Sequence, residues 1–308
     1  MRMPSVRSYL LVGVLAASLG LGGCGSDDDA ADKADDVTTT TEAAAPAHPS
    51  IELRDYSFAV NGELTAGMST IDVKNTGKEF HMVGFAKLKP GKTLADATKA
   101  FASEDEKAGE AVFEDTEGTA PEGFVGPGQQ IGITSDELTA GDYALVCFFP
   151  TEGEGAPHFT KGMVAAVTVA AAPAEAPTAP TADAEYTMAS GKVTGPATLK
   201  AGEVTLKATA GAGGPHEFLL VKAKKAGSSF EEIDKYFDAE FEKKDGPAKG
   251  AAANAPFIVV GDLFDFEGTR YMTATLEPGE YFVGCNTSGE EESTDANSHA
   301  ETMKVVVS

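Results

Sequence analysis

The side chains best suited to chemistry at neutral pH are few: three cysteines and five histidines in 308 residues. Cys24 and His48 stand apart near the N-terminus, His48 in an Ala-His-Pro context that reads as solvated. The other six, each set joined by a methionine, recur in one order. His81, Cys147, His158 and Met163 are followed by His216, Cys285, His299 and Met303, at offsets of 135, 138, 141 and 140 residues. Taken singly, each has a bland explanation: a buried Cys is a small apolar residue, a Met opening a strand is core, and a His is satisfied by hydrogen bonds. Two complete sets in the same order argue for ligands instead. Two imidazoles, a thiolate and a weak thioether are the donors of a trigonal copper site with a long axial Met.

Such donors need a scaffold, and the scaffold is repeated too. Ala66-Gly67 leads into the alternating Thr70–Val73, and Ala201-Gly202 into Val204–Lys207. After each early His comes a capped amphipathic helix, expected over Thr93–Phe101 and Ser229–Phe241. In the second, Phe230, Ile233, Phe237 and Phe241 share a face, with Ser229 and Glu232 as a capping box. Leu138-Thr-Ala-Gly-Asp-Tyr143 and Leu276-Glu-Pro-Gly-Glu-Tyr281 then read as turns feeding strands that end in Cys147 and Cys285. Closing strands are expected over Val164–Val169 and Lys304–Val307. Short β-branched strands between Gly/Pro turns predict an all-β chain of two tandem antiparallel sandwiches, over 51–170 and 185–308. The Ala/Pro-rich linker 171–184 between them permits independent motion. In each sandwich a strand end delivers Cys, a loop turns back, and His and Met enter from the start of the next strand. The early His joins them from a neighbouring strand.

These motifs resemble those of the cupredoxins, in the plastocyanin/azurin branch. Gly141-Asp-Tyr143-Ala-Leu-Val-Cys147 and Gly279-Glu-Tyr281-Phe-Val-Gly-Cys285 look like that family's Cys-bearing strand. His158-Phe-Thr-Lys-Gly-Met163-Val is similar to its closing motif, and His299-Ala-Glu-Thr-Met303 to the shorter azurin-like form. Asn75-Thr-Gly77 ahead of His81, and Pro215-His216, resemble the approach to its first ligand. The resemblance spans both folded segments. It implies two tandem cupredoxin-like Greek-key β-sandwiches, each with a short helical insertion. It also implies type 1 copper, one per domain, at His81, Cys147, His158 and Met163 and at His216, Cys285, His299 and Met303. Electrons would enter and leave through an exposed second histidine, His158. Ten residues separate Cys147 from His158 and thirteen separate Cys285 from His299, more than the family usually has. The first loop is stiffened by Pro150 and Pro157, whereas the second is Glu/Ser/Thr-rich.

The N-terminus addresses the protein. Arg2 and Arg7 precede an apolar run from Tyr9 to Leu21, a secretory signal over 1–24. Its Leu21-Gly22-Gly23-Cys24 ending resembles the bacterial lipobox, which implies lipidation of Cys24. Residues 25–50 are an acidic Ala/Pro/Thr tether with little to bury. The expected location is therefore outside the cytoplasm, anchored to the outer face of the bacterial cytoplasmic membrane or cell envelope. A net charge of −24 excludes nucleic-acid binding by charge and favours a basic redox partner protein. The four histidines of the folded segments are all assigned, leaving none for an additional catalytic copper, so no enzymatic activity is expected. The leading function is one-electron transfer through copper, with copper storage or delivery, or a metal-free binding module, as alternatives. A Cys147–Cys285 disulfide is a competing use of the two thiols in an oxidising compartment.

Overall fold

The computed structural model describes residues 48–103, 105–114, 122–175, 177–189, 192–212, 215–241, 243, 245–285 and 301–308. The signal, Cys24, nearly all of the tether and His299 lie outside these residues. In the first half, β1 (Ser50–Arg54), β2 (Ser57–Asn61), β4 (Ser69–Asn75) and β7 (Gln130–Ser135) form one layer in the order β7-β4-β1-β2. The other layer holds β3 (Leu64–Thr65), β5 (His81–Lys87), β6 (Gly123–Val125), β8 (Gly141–Val146) and β9 (Val164–Ala170), ordered β6-β5-β8-β9-β3. The second half repeats both layers. Its first is β10 (Ala184–Ala189), β11 (Lys192–Thr194), β13 (Gly202–Ala210) and β16 (Thr269–Leu276), ordered β16-β13-β10-β11. Its second is β12 (Thr198–Leu199), β14 (His216–Ala223), β15 (Phe257–Phe266), β17 (Gly279–Cys285) and β18 (Glu301–Val307), ordered β15-β14-β17-β18-β12.

The sandwiches are not antiparallel throughout. β1 with β4, β10 with β13, β3 with β9 and β12 with β18 are parallel. The chain crosses to the other layer between β1 and β4 and between β10 and β13, so no hairpin forces their directions. The alternation that marked β4 in the sequence buries Ile71 and Val73 toward the core, while β5 and β14 are buried on both faces. Both repeated turns are tyrosine corners. The Tyr143 hydroxyl donates to the Thr139 carbonyl at 3.0 Å and that of Tyr281 to the Glu277 carbonyl at 2.8 Å. The insertion helices run over Leu94–Phe101, capped by Thr93 and Asp96, and over Phe230–Phe241, capped by the Ser229–Glu232 box.

The halves do not move independently, as the linker alone suggested. Each layer is continuous across them: β7 pairs with β16 and β6 with β15, both antiparallel. Ile133 and Met272 occupy equivalent places, opposite Ile71 of β4 and Leu206 of β13, and they pair with each other. The junction thus has an approximate two-fold axis through that pair, the geometry of a symmetric dimer built within one chain. Gly261 permits the close approach, since a Cβ there would lie 2.7 Å from Ile131 Cδ1. A wholly buried Arg270 of the second half donates through Nε to Glu137 of the first at 2.6 Å. Over the outer face of the joint, Phe237 of the second-half helix packs against Phe80 and Phe124 of the first half and Phe257 of its own.

Candidate metal centre

His81 opens β5, and a turn pinned by Asn75 aims it. The buried Asn75 accepts the Gly77 N–H through Oδ1, at 2.9 Å, and donates through Nδ2 to the carbonyls of Glu79 and Val125, at 2.9 and 2.8 Å. Cys147 follows the last residue of β8. Its backbone N–H donates to the Met163 carbonyl at 3.2 Å, and its sulfur accepts the Met82 N–H at 3.4 Å. The ten-residue loop to His158 is closed on itself: the Thr151 N–H donates to Ala156 and the His158 N–H to Phe149, both at 2.8 Å. His158 begins a short 3-10 turn, His158–Lys161, and the Met163 N–H returns to its carbonyl at 3.1 Å. Extra length here adds a small hairpin, not slack.

Three donor atoms converge. His81 Nδ1 and His158 Nδ1 lie 3.0 Å apart, and Cys147 Sγ is 3.4 Å from His158 Nδ1 and 4.0 Å from His81 Nδ1. All three residues, and Met163 beside them, are wholly buried. Carboxylates face the far side of both rings. His81 Nε2 is 3.1 Å from Asp55 Oδ1, and His158 Nε2 is 3.0 Å from Glu79 Oε2. A carboxylate there keeps Nε2 protonated and leaves Nδ1 as the inward donor. Glu79 also accepts the Tyr56 hydroxyl at 2.8 Å and the Glu152 N–H at 2.9 Å. Tyr56 sets its ring edge-on to His158, with centroids 5.2 Å apart.

The electrostatics favour an ionised cluster. Burial pushes the Cys147 thiol up, but hydrogen bonds and charge from His158 and His81 overcome it and bring it down to about 6. Burial pulls His158 down, and the sulfur and Glu79 together raise it to about 9. Glu79, pushed up by burial, is held at about 2 by His158, the Glu152 N–H and Tyr56. For Asp55, too, burial works upward and is outweighed by the Lys78 N–H and His81, which hold it below its usual value. A thiolate and two inward imidazole nitrogens fit copper. A buried thioether in place of a fourth thiolate, imidazole or carboxylate departs from the usual four-coordinate zinc sets.

The second half brings fewer of its expected ligands together among the described residues. His216 Nδ1 lies 3.3 Å from Cys285 Sγ, which also accepts the Glu217 N–H at 3.5 Å. Met303 sits in β18 opposite Val283, partly buried against the core. His299 lies outside the described residues, as does Cys24. Both Cys147 and Cys285 are free thiols, each beside its own half's histidine, so the disulfide alternative does not hold.

His158 is not the exposed exit expected of it. Second-half groups cap this end of the first sandwich: the Glu152 carboxylate accepts the Gly250 and Ala252 N–H groups at 2.5 and 2.7 Å, and the Gly153 N–H donates to Pro247 at 2.6 Å. Phe80 and Phe149, which neighbour the site, pack against Phe241. Asp55, Glu79 and this cover escaped the sequence reading. The acids sit among 48 acidic residues, and only the difference between the halves marks them: positions 135 further on are Ser190 and Gly214.

No protein-family model matches the chain, and no curated protein matches it. Solved structures do. Auracyanin A, a "blue" copper protein from the green thermophilic photosynthetic bacterium Chloroflexus aurantiacus, is 18% identical over 40% of this chain and 99% of its own, with a TM-score of 0.24. A multicopper oxidase is 14% identical over 84% of this chain and 87% of its own, at 0.22. The Cu-containing nitrite reductase of Thermus scotoductus is 11% identical over 84% of this chain and 61% of its own, at 0.21. The fold is two β-sandwiches in tandem, the architecture that the resemblance read in the sequence implied. The expectation of no enzymatic activity is not kept, as structures named as a multicopper oxidase and a nitrite reductase stand among those the chain is similar to.

Proposed function

We propose that the protein is a one-electron carrier in which His81, Cys147 and His158, together with Met163, would hold copper. The observation that carries this reading is the buried triangle of two Nδ1 atoms and one Sγ, 3.0–4.0 Å on a side. Bound copper supplies the Cu(I)/Cu(II) couple. The chain's own part is to hold the donors still and dry. Strand ends, the Asn75-pinned turn and the closed 148–157 loop fix them, and a rigid site resists rearrangement when the charge on the ion changes. The depressed Cys147 thiol supplies the thiolate that a metal requires at neutral pH. His216 and Cys285 form the start of a second centre, completed in this reading by His299 and Met303.

Export and lipidation at Cys24 would anchor the chain to the outer face of the bacterial cytoplasmic membrane or cell envelope. Its charge of −24 would favour a basic redox partner. The test is the visible spectrum of the full chain, purified in detergent and loaded with copper. A strong thiolate-to-copper charge-transfer band should appear, survive in Cys285→Ser at reduced intensity, and lose its first-half component in Cys147→Ser. A chain that retains no copper and shows no band would sink the proposal.

A further inference from the structure

We infer that Asp55 and Glu79 are positioning residues that bias the first centre toward the more highly charged state of its metal. The inference rests on the copper reading above. Each histidine of the first site is gripped from behind by its own carboxylate, at 3.1 Å for Asp55 and 3.0 Å for Glu79. Both acids are themselves held. Asp55 accepts the Lys78 N–H at 2.8 Å, and Glu79 accepts Tyr56 Oη–H and the Glu152 N–H. Gly77 leaves room for the first contact, because a Cβ there would lie 2.5 Å from His81 Nε2 and closer still to Asp55 Oδ1.

Two effects act in one direction. A carboxylate on Nε2–H raises the basicity of the ligating Nδ1, and a fixed negative charge near a buried ion stabilises its higher oxidation state. The second half is a natural comparison. The strand registers Ile51 with Val73 and Tyr186 with Ala208 set an offset of 135 residues, the same as from His81 to His216. At that offset Asp55, Tyr56, Asn75 and Glu79 become Ser190, Gly191, Ala210 and Gly214. Not one of the four is retained, although the histidine, cysteine and methionine are. Among the described residues, His216, buried like His81, has no hydrogen-bond partner at Nε2. Duplication preserved the ligand types but not these four residues, so the carboxylate grip belongs to the first copy's own sequence.

The experiment uses the full chain carrying Cys285→Ser, so that only the first centre reports, and measures its reduction potential together with the position of its charge-transfer band. Loss of such outer partners typically costs 10–100-fold in metal affinity. If Asp55→Asn or Glu79→Gln loses Cu(II) affinity tenfold more than Cu(I) affinity, the potential rises by about 59 mV. Tyr56→Phe should move it the opposite way, since removing a donor from Glu79 leaves more of its charge for His158; this loss of one hydroxyl from a partly buried ring keeps the test alive should either isosteric variant fail to fold. A band that persists with the potential unmoved in the Asn and Gln variants, or moved upward in Tyr56→Phe, overturns the inference while leaving the copper reading intact. Absence of a band in the Cys285→Ser parent overturns the copper reading, and the inference with it.

Discussion

Phe237 belongs to the second half, yet its alanine variant should weaken the first. The side chain is 2% exposed. Its ring centroid lies 5.8 Å from that of Phe80 and 6.5 Å from that of Phe124, both first-half residues, and 4.7 and 5.3 Å from those of Phe257 and Phe241. Truncating a buried Phe to Ala typically costs about 3–5 kcal/mol, through lost transfer energy and the cavity left behind. For a cooperative unit of this size, about 2–4 °C of Tm per kcal/mol turns that into a drop of roughly 6–20 °C. Continuous sheets make the unit the whole pair of sandwiches, so the parent should unfold in one transition. Calorimetry of the apo chain reads the transition, while intrinsic fluorescence and alkylation of Cys147, wholly buried in the first half, report on where unfolding begins. In the variant the entire transition should shift, and Cys147 should become reactive at a correspondingly lower temperature. Two separate transitions in the parent, with Phe237→Ala moving only one and leaving Cys147 protected to the same temperature, would refute the coupling drawn from the shared sheets.

Three further outcomes are expected. Gly77→Ala should break the Asp55–His81 contact and lower copper affinity by about 10-fold, the low end for loss of an outer partner, with little effect on apo stability. Glu152→Ala should leave the Gly250 and Ala252 N–H groups without their carboxylate, cost about 1–3 kcal/mol in chemical denaturation, and speed copper exchange by loosening the loop that carries His158. Glu137 is raised above 4.5, first by burial, with Arg270 pulling the other way. A carboxyl raised on folding contributes stability that is full below its unfolded pKa and is lost as pH rises through its folded value. The stability of the parent relative to Glu137→Gln should therefore shrink as pH rises from below 4.5 to neutral, and a difference that grows instead would show that the Arg270 pair dominates.

The resemblance between the halves was legible because its landmarks are local. A tyrosine corner needs its Tyr four residues after the accepting carbonyl, and a capping box needs its partners three apart, as Ser229 and Glu232 are. The order His, Cys, His, Met survives in the sequence because each ligand sits at the end of an element that the alternation or the turn chemistry already defines. Asp55 and Glu79 carry no such signature. They lie 26 and 79 residues from the histidines they hold, in turns where an acidic residue looks like ordinary solvation.

The sequence by itself determined the β class, the duplication, the helical insertions and which side chains could meet around a metal. Periodicity, capping and turn geometry are short-range, and a repeated pattern is readable twice. Only the tertiary structure decided that the two sandwiches join edge to edge through both layers, that His158 is covered instead of exposed, and that the first site has a carboxylate behind each imidazole. Those features come from pairings such as Ile133 with Met272 and Glu137 with Arg270, more than a hundred residues apart. Their energies come from burial and from charge held out of water, which no local pattern of residues encodes.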